Sequence, residues 1–194
     1  MMAASQPLVA DEILDAYDLR GHRRLMDVGG GDGHFLASVA RRVPGLDLML
    51  FDLPAVTERA RARFESTSVA ARVRVFGGSF LTDALPIGAD IVSLIRVVHD
   101  HDDAAAMTIL RAVRAALPPG GVLLLAEPMA RTEGAEAMGD AYFGFYLLAM
   151  GRGRPRSAEE LMRMLVAAGF EGVRRRPTRM PLQTQLLVAR CPRA

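Results

Sequence analysis

Residues Leu25 to Phe35 read LMDVGGGDGHF and leave the chain little choice of local structure. Leu25, Met26, Asp27 and Val28 read as the end of a buried strand. Gly29, Gly31 and Gly33 form a GxGxG turn, and an apolar-periodic run from Phe35 reads as a helix. A glycine turn between strand and helix lets a ligand approach bare backbone. A dinucleotide site needs GxGxxG, which sets a pyrophosphate on the helix N-terminus. Here His34 occupies the third glycine position. With the acidic Asp27 in the strand, the spacing suits a nucleoside without phosphate, and S-adenosylmethionine fits best. The alternative is a tight turn with no ligand.

The rest of the chain repeats the strand–helix theme. A helix with apolar residues at Val9, Ile13, Leu14 and Tyr17 precedes strand one, Arg24 to Val28. A helix to Val43 ends at Pro44-Gly45. Strand two is Leu46 to Phe51, a charged helix spans Ala55 to Phe64, and strands three and four are Val73 to Phe76 and Ile91 to Ile95. A helix from Asp102 to Leu117 stops at Pro118-Pro119-Gly120-Gly121, before strand five at Val122 to Ala126. Helices follow at Ala137 to Met150 and Ala158 to Ala168, then strands at Gly172 to Arg176 and Gln185 to Arg190. This alternation predicts an α/β fold, a parallel sheet with helices on both faces. The last two strands are too close for a long crossover, so the final one should run antiparallel, giving a seven-stranded sheet.

Composition sets the limits. The 194 residues suffice for one domain with a full core, and 51% are hydrophobic. No apolar run reaches the ~20 residues of a membrane span, and the N-terminus lacks the layout of a signal peptide. The single cysteine, Cys191, excludes an internal disulfide framework and fits a reducing, cytoplasmic setting. A net charge of +2 gives no electrostatic reason to expect nucleic acid. All 24 basic residues are arginine. The clusters at Arg152, Arg154 and Arg156 and at Arg174 to Arg176 read as solvated surface.

Ligands in such sheets lie beyond the carboxyl ends of the strands. Those ends carry Gly29 to Gly33, Asp52, Ser79, Arg96 to His99 and Glu127. Asp52 can accept from both ribose hydroxyls of a nucleoside, and Leu53 and Phe80 would flank a flat base. His99 is an imidazole at a strand end near the glycine turn, and its ordinary pKa of ~6.5 suits general-base work. The run His99-Asp100-His101-Asp102-Asp103 invites a metal reading, but no histidine follows His101, so a His-rich dinuclear site cannot be completed. Asp102 and Asp103 more simply favour a helix N-terminus, with His101 in its solvated first residues.

LMDVGGGDGHF, LFDLP, GGSF, IRVVHDHDD and LPPGGVLLLAEP occur in an order and spacing that resemble the S-adenosylmethionine-dependent O-methyltransferases of the plant caffeate and hydroxyindole type. DAYFGFYLLAMGRGRPRS and MPLQTQLLVAR look most like the bacterial carotenoid branch. The resemblance implies a class I methyltransferase fold and S-adenosyl-L-methionine as cofactor. Gly29, Gly31, Asp52, Leu53, Ser79 and Phe80 would contact that cofactor, and His99 and Glu127 would be catalytic. Three positions depart from the family. Ser79 replaces an acid that meets the adenine amino group. Ile95 replaces a lysine, for which the adjacent Arg96 would substitute, although the strand period turns it to the other face. A second acid buttressing the base would fall near Pro155, where there is none.

The resemblance further implies that residues 1–20 are a linker helix and 21–194 the methyltransferase domain. The family's preceding helical domain, which dimerises and covers the site, would be absent, and a homodimer would need it. The expected acceptor is a small apolar hydroxylated molecule, a carotenoid before a phenol or polyketide, with peripheral contact to the inner membrane for so lipophilic a substrate. A phenol of pKa ~10 would cost His99 ~5 kcal/mol to deprotonate, whereas an aliphatic alcohol near ~15.7 would cost about 12 kcal/mol. For an alcohol, proton removal must accompany attack on the methyl group, and in-line alignment must supply much of the rate. A nicotinamide-dependent oxidoreductase and a cofactor-binding remnant without turnover are the competing readings.

Overall fold

The computed structural model describes residues 2–65, 67–132 and 153–193. The helix expected over 137–150 lies outside them. The strands are β1 (Arg24–Val28), β2 (Asp47–Asp52), β3 (Val73–Gly77), β4 (Ile91–Ile95), β5 (Val122–Glu127), β6 (Glu171–Arg176) and β7 (Gln185–Arg190). The helices are α1 (Met2–Ala16), α2 (His34–Arg42), α3 (Pro54–Glu65), α4 (Asp103–Ala116) and α5 (Ala158–Ala167). The strands form one sheet in the order β3-β2-β1-β4-β5-β7-β6. β1 to β5 pair in parallel, and β7 runs antiparallel to both β5 and β6.

Period-two alternation divides each strand between two cores. Met26, Val28, Met49, Phe51, Val92, Leu94, Leu123 and Leu125 pack on one face with α4 and α5. Leu25, Leu48, Leu50, Ile91, Leu124 and Ala126 pack on the other with α1, α2 and α3. Every residue of β5 is buried. Such continuous apolar strands are what a sheet covered on both faces requires.

Helix starts follow local chemistry. The Asp102 carboxylate caps α4 by accepting from the Ala105 amide at 2.9 Å, and Ser157 with Glu160 closes a capping box on α5. α1 begins well before the expected Val9 and contains Pro7. It buries Val9, Ala10, Ile13 and Leu14 in the second core. Glu12 of the same helix, 5% exposed, accepts from the backbone amides of Arg179 and Met180 in the β6–β7 connection and from the Arg179 guanidinium. Strand order reverses between β1 and β4, and a crevice forms beyond the carboxyl ends of strands at such a point.

Candidate active site

The segments after β1 and β4 meet across this reversal. Gly29, Gly31 and Gly33 have φ of 72°, 58° and 78°, a backbone region that glycine enters without steric cost. A Cβ on Gly31 would meet nothing within 4 Å, so the turn presents bare backbone to open space. Beside it lies a cavity of about 130 Å³ lined by Val9, Ala10, Asp27, Gly29 to Gly31, Phe35, Ile95 and Arg96.

Asp52 stands at the rim. One carboxylate oxygen accepts from the Gly31 amide at 2.7 Å and the other from the Leu53 amide at 2.7 Å. A carboxylate has about four lone-pair sites, so acceptor capacity remains for a ligand's hydroxyls. Asp27 is 2% exposed, and one of its oxygens accepts from Ser93 Oγ at 2.6 Å. Burial raises its pKa to about 7, against the pull of the Ser93 hydrogen bond and with a further push from Asp52.

Arg96 escapes the strand period. β4 ends at Ile95, and Arg96 takes φ 55°, its amide donating to Ala126 O at 2.8 Å. The pleat therefore does not turn it away: it lines the glycine-turn cavity, and its Nη2 reaches Gln183 O at 3.3 Å. Leu53 is exposed and Phe80 is half-buried. Ser79 Oγ is engaged with its own turn, accepting from the Leu81 amide at 3.3 Å. The Ser79 amide donates to Asp83 at 2.8 Å, so the turn recruits a carboxylate four residues on from the serine that replaced one.

His99 lies in a short 3-10 turn at Val98–Asp100 and is 3% exposed. Its Nδ1 is hydrogen-bonded to Glu127 Oε2. The other Glu127 oxygen accepts from the amides of Val97 and Val98 at 3.0 and 2.7 Å. This carboxylate thus fixes both the ring and the backbone before it. Asp100 Oδ1 is 3.2 Å from Nε2, in ion-pairing range without hydrogen-bond alignment. Burial pushes the His99 imidazole down, but Glu127, aided by Asp100, outweighs it, and the net pKa lies above the ordinary histidine value. The ring therefore faces two carboxylates, the second from Asp100 rather than from the Pro155 position.

Two sequence expectations fail here. His101 is not solvated: it is half-buried in an edge-to-face contact with Phe80, ring centroids 5.4 Å apart, and burial lowers its pKa. Arg156 is not surface: it is 2% exposed and hydrogen-bonded into the His99 loop. Nothing local in RPRS distinguishes it from Arg154, which remains part-exposed in ion pairs with Asp103 and Glu160. Arg174, Arg175 and Arg176 are exposed, as expected. Among the described residues no group of three or more His, Cys, Asp or Glu could hold a metal ion.

A doubly covered parallel sheet with a reversed last strand, a glycine turn after β1 and an acid ending β2 define the class I methyltransferase architecture. The model of the O-methyltransferase domain family matches residues 1–171, and the chain belongs to that family. It is 46% identical over 189 residues to demethylspheroidene O-methyltransferase of Cereibacter sphaeroides, covering 97% of this chain and 50% of the relative. It is 36% identical over 171 residues to aclacinomycin 10-hydroxylase of Streptomyces purpurascens, covering 88% of this chain and 46% of that protein. Human N-acetylserotonin methyltransferase, solved in complex with SAM, superposes with a TM-score of 0.86 at 25% identity, over 98% of this chain and 55% of that one. The chain thus spans about half the length of the curated relatives it matches.

Proposed function

We propose that this chain carries the methyl-transfer site of an S-adenosyl-L-methionine-dependent O-methyltransferase whose acceptor is an apolar alcohol, a hydroxylated carotenoid first. The observation that carries this reading is the buried His99–Glu127 pair at the same sheet edge as the glycine-turn cavity. The residues fit the cofactor. Gly31 leaves open space where a side chain would intrude, Asp52 offers acceptors to ribose hydroxyls, and the cavity places an acid, Asp27, and a base, Arg96, around one ligand end. That arrangement suits an amino-acid terminus carrying both an ammonium and a carboxylate. The cavity is smaller than the ~300 Å³ or more of a whole small-molecule pocket, so an extended ligand would continue across the rim at Asp52.

When bound, the cofactor supplies an electrophilic methyl group on a sulfonium. The protein does the rest. Glu127 fixes His99 in the tautomer with Nδ1 protonated, leaving Nε2 to take the acceptor's proton. By stabilising the imidazolium, it raises the basicity of the ring and lowers the cost of that transfer. The Asp100 carboxylate, 3.2 Å from Nε2, must share or yield that position to the acceptor oxygen. The demethylspheroidene relatives favour a carotenoid, and the absence of an acid at Pro155 removes an argument for a phenol. A lipophilic acceptor implies contact with a bilayer surface. Among the described residues no helix is long and apolar enough to cross one.

The test is methyl transfer from labelled cofactor to carotenoid alcohols and to phenols, with and without a supplied N-terminal helical domain, beside calorimetric titration of S-adenosylhomocysteine and NAD. Labelled carotenoid ether and homocysteine-nucleoside binding without NAD binding are expected. Label on phenols alone would reassign the acceptor, and binding with no transfer under any condition would leave a cofactor-binding module.

A further inference from the structure

The His99 loop is held from a distant part of the chain. The Arg156 guanidinium donates from Nη1 to Val98 O at 2.9 Å and from Nη2 to His101 O at 2.8 Å, carbonyls on either side of the histidine. Its Nε and Nη2 also reach Asp103 Oδ1 at 2.9 and 2.8 Å. The Arg154 amide donates to the carbonyl of His99 itself at 3.1 Å. Gly153 makes this approach possible, since a Cβ there would lie 2.2 Å from His99 O. The clamp is anchored in turn: the Ala130 amide donates to Arg156 O at 2.9 Å, Ala130 bridges to Ser157, and Ser157 caps α5.

We infer that Arg156, oriented by Asp103, is a positioning residue for His99, fixing the backbone on both sides of it so that Nδ1 remains seated on Glu127. The inference rests on the reading of His99 as the general base. Glu127 has committed both oxygens, one to the Val97 and Val98 amides and one to the ring, so it cannot follow the loop if the loop drifts. A buried guanidinium is retained only where its donors all find acceptors, and its planar fork can span two carbonyls and a carboxylate as an ammonium cannot. Among the described residues Arg156 bonds to the His99 loop and Asp103 and does not line the glycine-turn cavity, so it acts through the geometry of the base.

The experiment is a carbon-13 NMR titration of the four histidines in the full chain, which requires no turnover and is unaffected if the acceptor is wrongly assigned. The charged groups that bear most on the His99 ring are Glu127, Asp100 and Arg96, with His101 coupled to it, and all are retained in the variants. In Arg156→Lys the His99 pKa is expected to fall by ~0.5–1 unit as the ring separates from Glu127. His22 should titrate as in the parent, and S-adenosylhomocysteine should bind within about threefold, because the glycine turn is untouched. Asp103→Ala removes an exposed carboxylate, so it serves if Arg156→Lys does not fold; its His99 pKa should fall in the same direction by less. A parental His99 titration in folded Arg156→Lys, or in Asp103→Ala if the lysine variant does not fold, would overturn the assignment. So would an equal change at His22 or a collapse of S-adenosylhomocysteine binding.

Discussion

The two halves of the crevice are built in different ways. The half after β1 and β2 is assembled from neighbours in sequence: three glycines with positive φ, an acid ending the next strand, and a direct bond between them from the Gly31 amide to Asp52. The half after β4 is assembled from afar. His99 takes its orientation from Glu127, which like Asp52 ends the next strand, but its loop is held by Arg156, 58 residues from Val98. A site made by a turn survives wherever strand and helix form. A site made by crossing segments exists only when several elements are packed at once, and it is the more sensitive to changes outside it.

The largest effect should come from the base side. His99→Ala is expected to lower methyl transfer by ~10²–10⁴, the usual contribution of a positioned base, while leaving S-adenosylhomocysteine affinity within a few-fold by calorimetry. Full turnover in that variant would assign the proton to another group. Because the pKa of His99 is raised and the neutral ring is the active form, the parent's rate should fall as pH drops through a value above the ordinary ~6.5. That limb should vanish in the variant.

On the cofactor side, Gly31→Val should abolish S-adenosylhomocysteine binding, a loss of at least ~100-fold, with the circular dichroism of the sheet intact. The side chain would fill the open space and adopt φ 58°, which a β-branched residue avoids. Near-parental affinity in a folded variant would remove the ligand from this turn. Asp52→Ala should cost roughly 2–3 kcal/mol of the same affinity, the range for hydrogen bonds to a charged acceptor. Unchanged affinity would reduce Asp52 to a brace for the Gly31 and Leu53 amides.

The smallest effect concerns stability. Native Asp27 keeps its proton up to about pH 7, whereas the unfolded chain releases it near 3.8, so its contribution to stability falls as pH rises through that interval. Asp27→Asn removes this dependence. Its melting temperature should exceed the parent's above pH 7, by an amount equivalent to about 1–3 kcal/mol, and approach parity near pH 4. Parallel pH profiles for the two proteins would place the titration elsewhere.

Most of the fold was legible in the sequence because each strand is a short apolar run bounded by turn residues, and the glycine turn fixes where strand gives way to helix. Strand boundaries moved by a residue or two, as for β2, which starts at Asp47 rather than Leu46, whereas α1 starts at Met2, well before Val9. The placement of the candidate site residues was legible where it follows from a residue's own position at a strand end, as for Gly31, Asp52, His99 and Glu127. It was not legible where action depends on reach. Asp100 and Asp83 look like ordinary loop acids until the turns fold them back. The strand period points Arg96 away, because its departure from β geometry leaves no mark in IRVV. Arg156 shares its composition with an arginine two residues before it that is half in solvent.

The Glu12 attachment has a consequence for the order in which the molecule is completed. It joins residues 167 apart, so closing it requires nearly the whole chain to be present. Contacts of such sequence separation carry a large loop-closure entropy and form late. Val9 and Ala10, on the same helix, form a wall of the glycine-turn cavity. The cavity wall is therefore fastened only once Arg179 is in place, although the glycine motif that defines the cavity lies far earlier in the sequence. A chain released before the Arg179 turn would hold its glycines in place around a pocket with one wall unfastened.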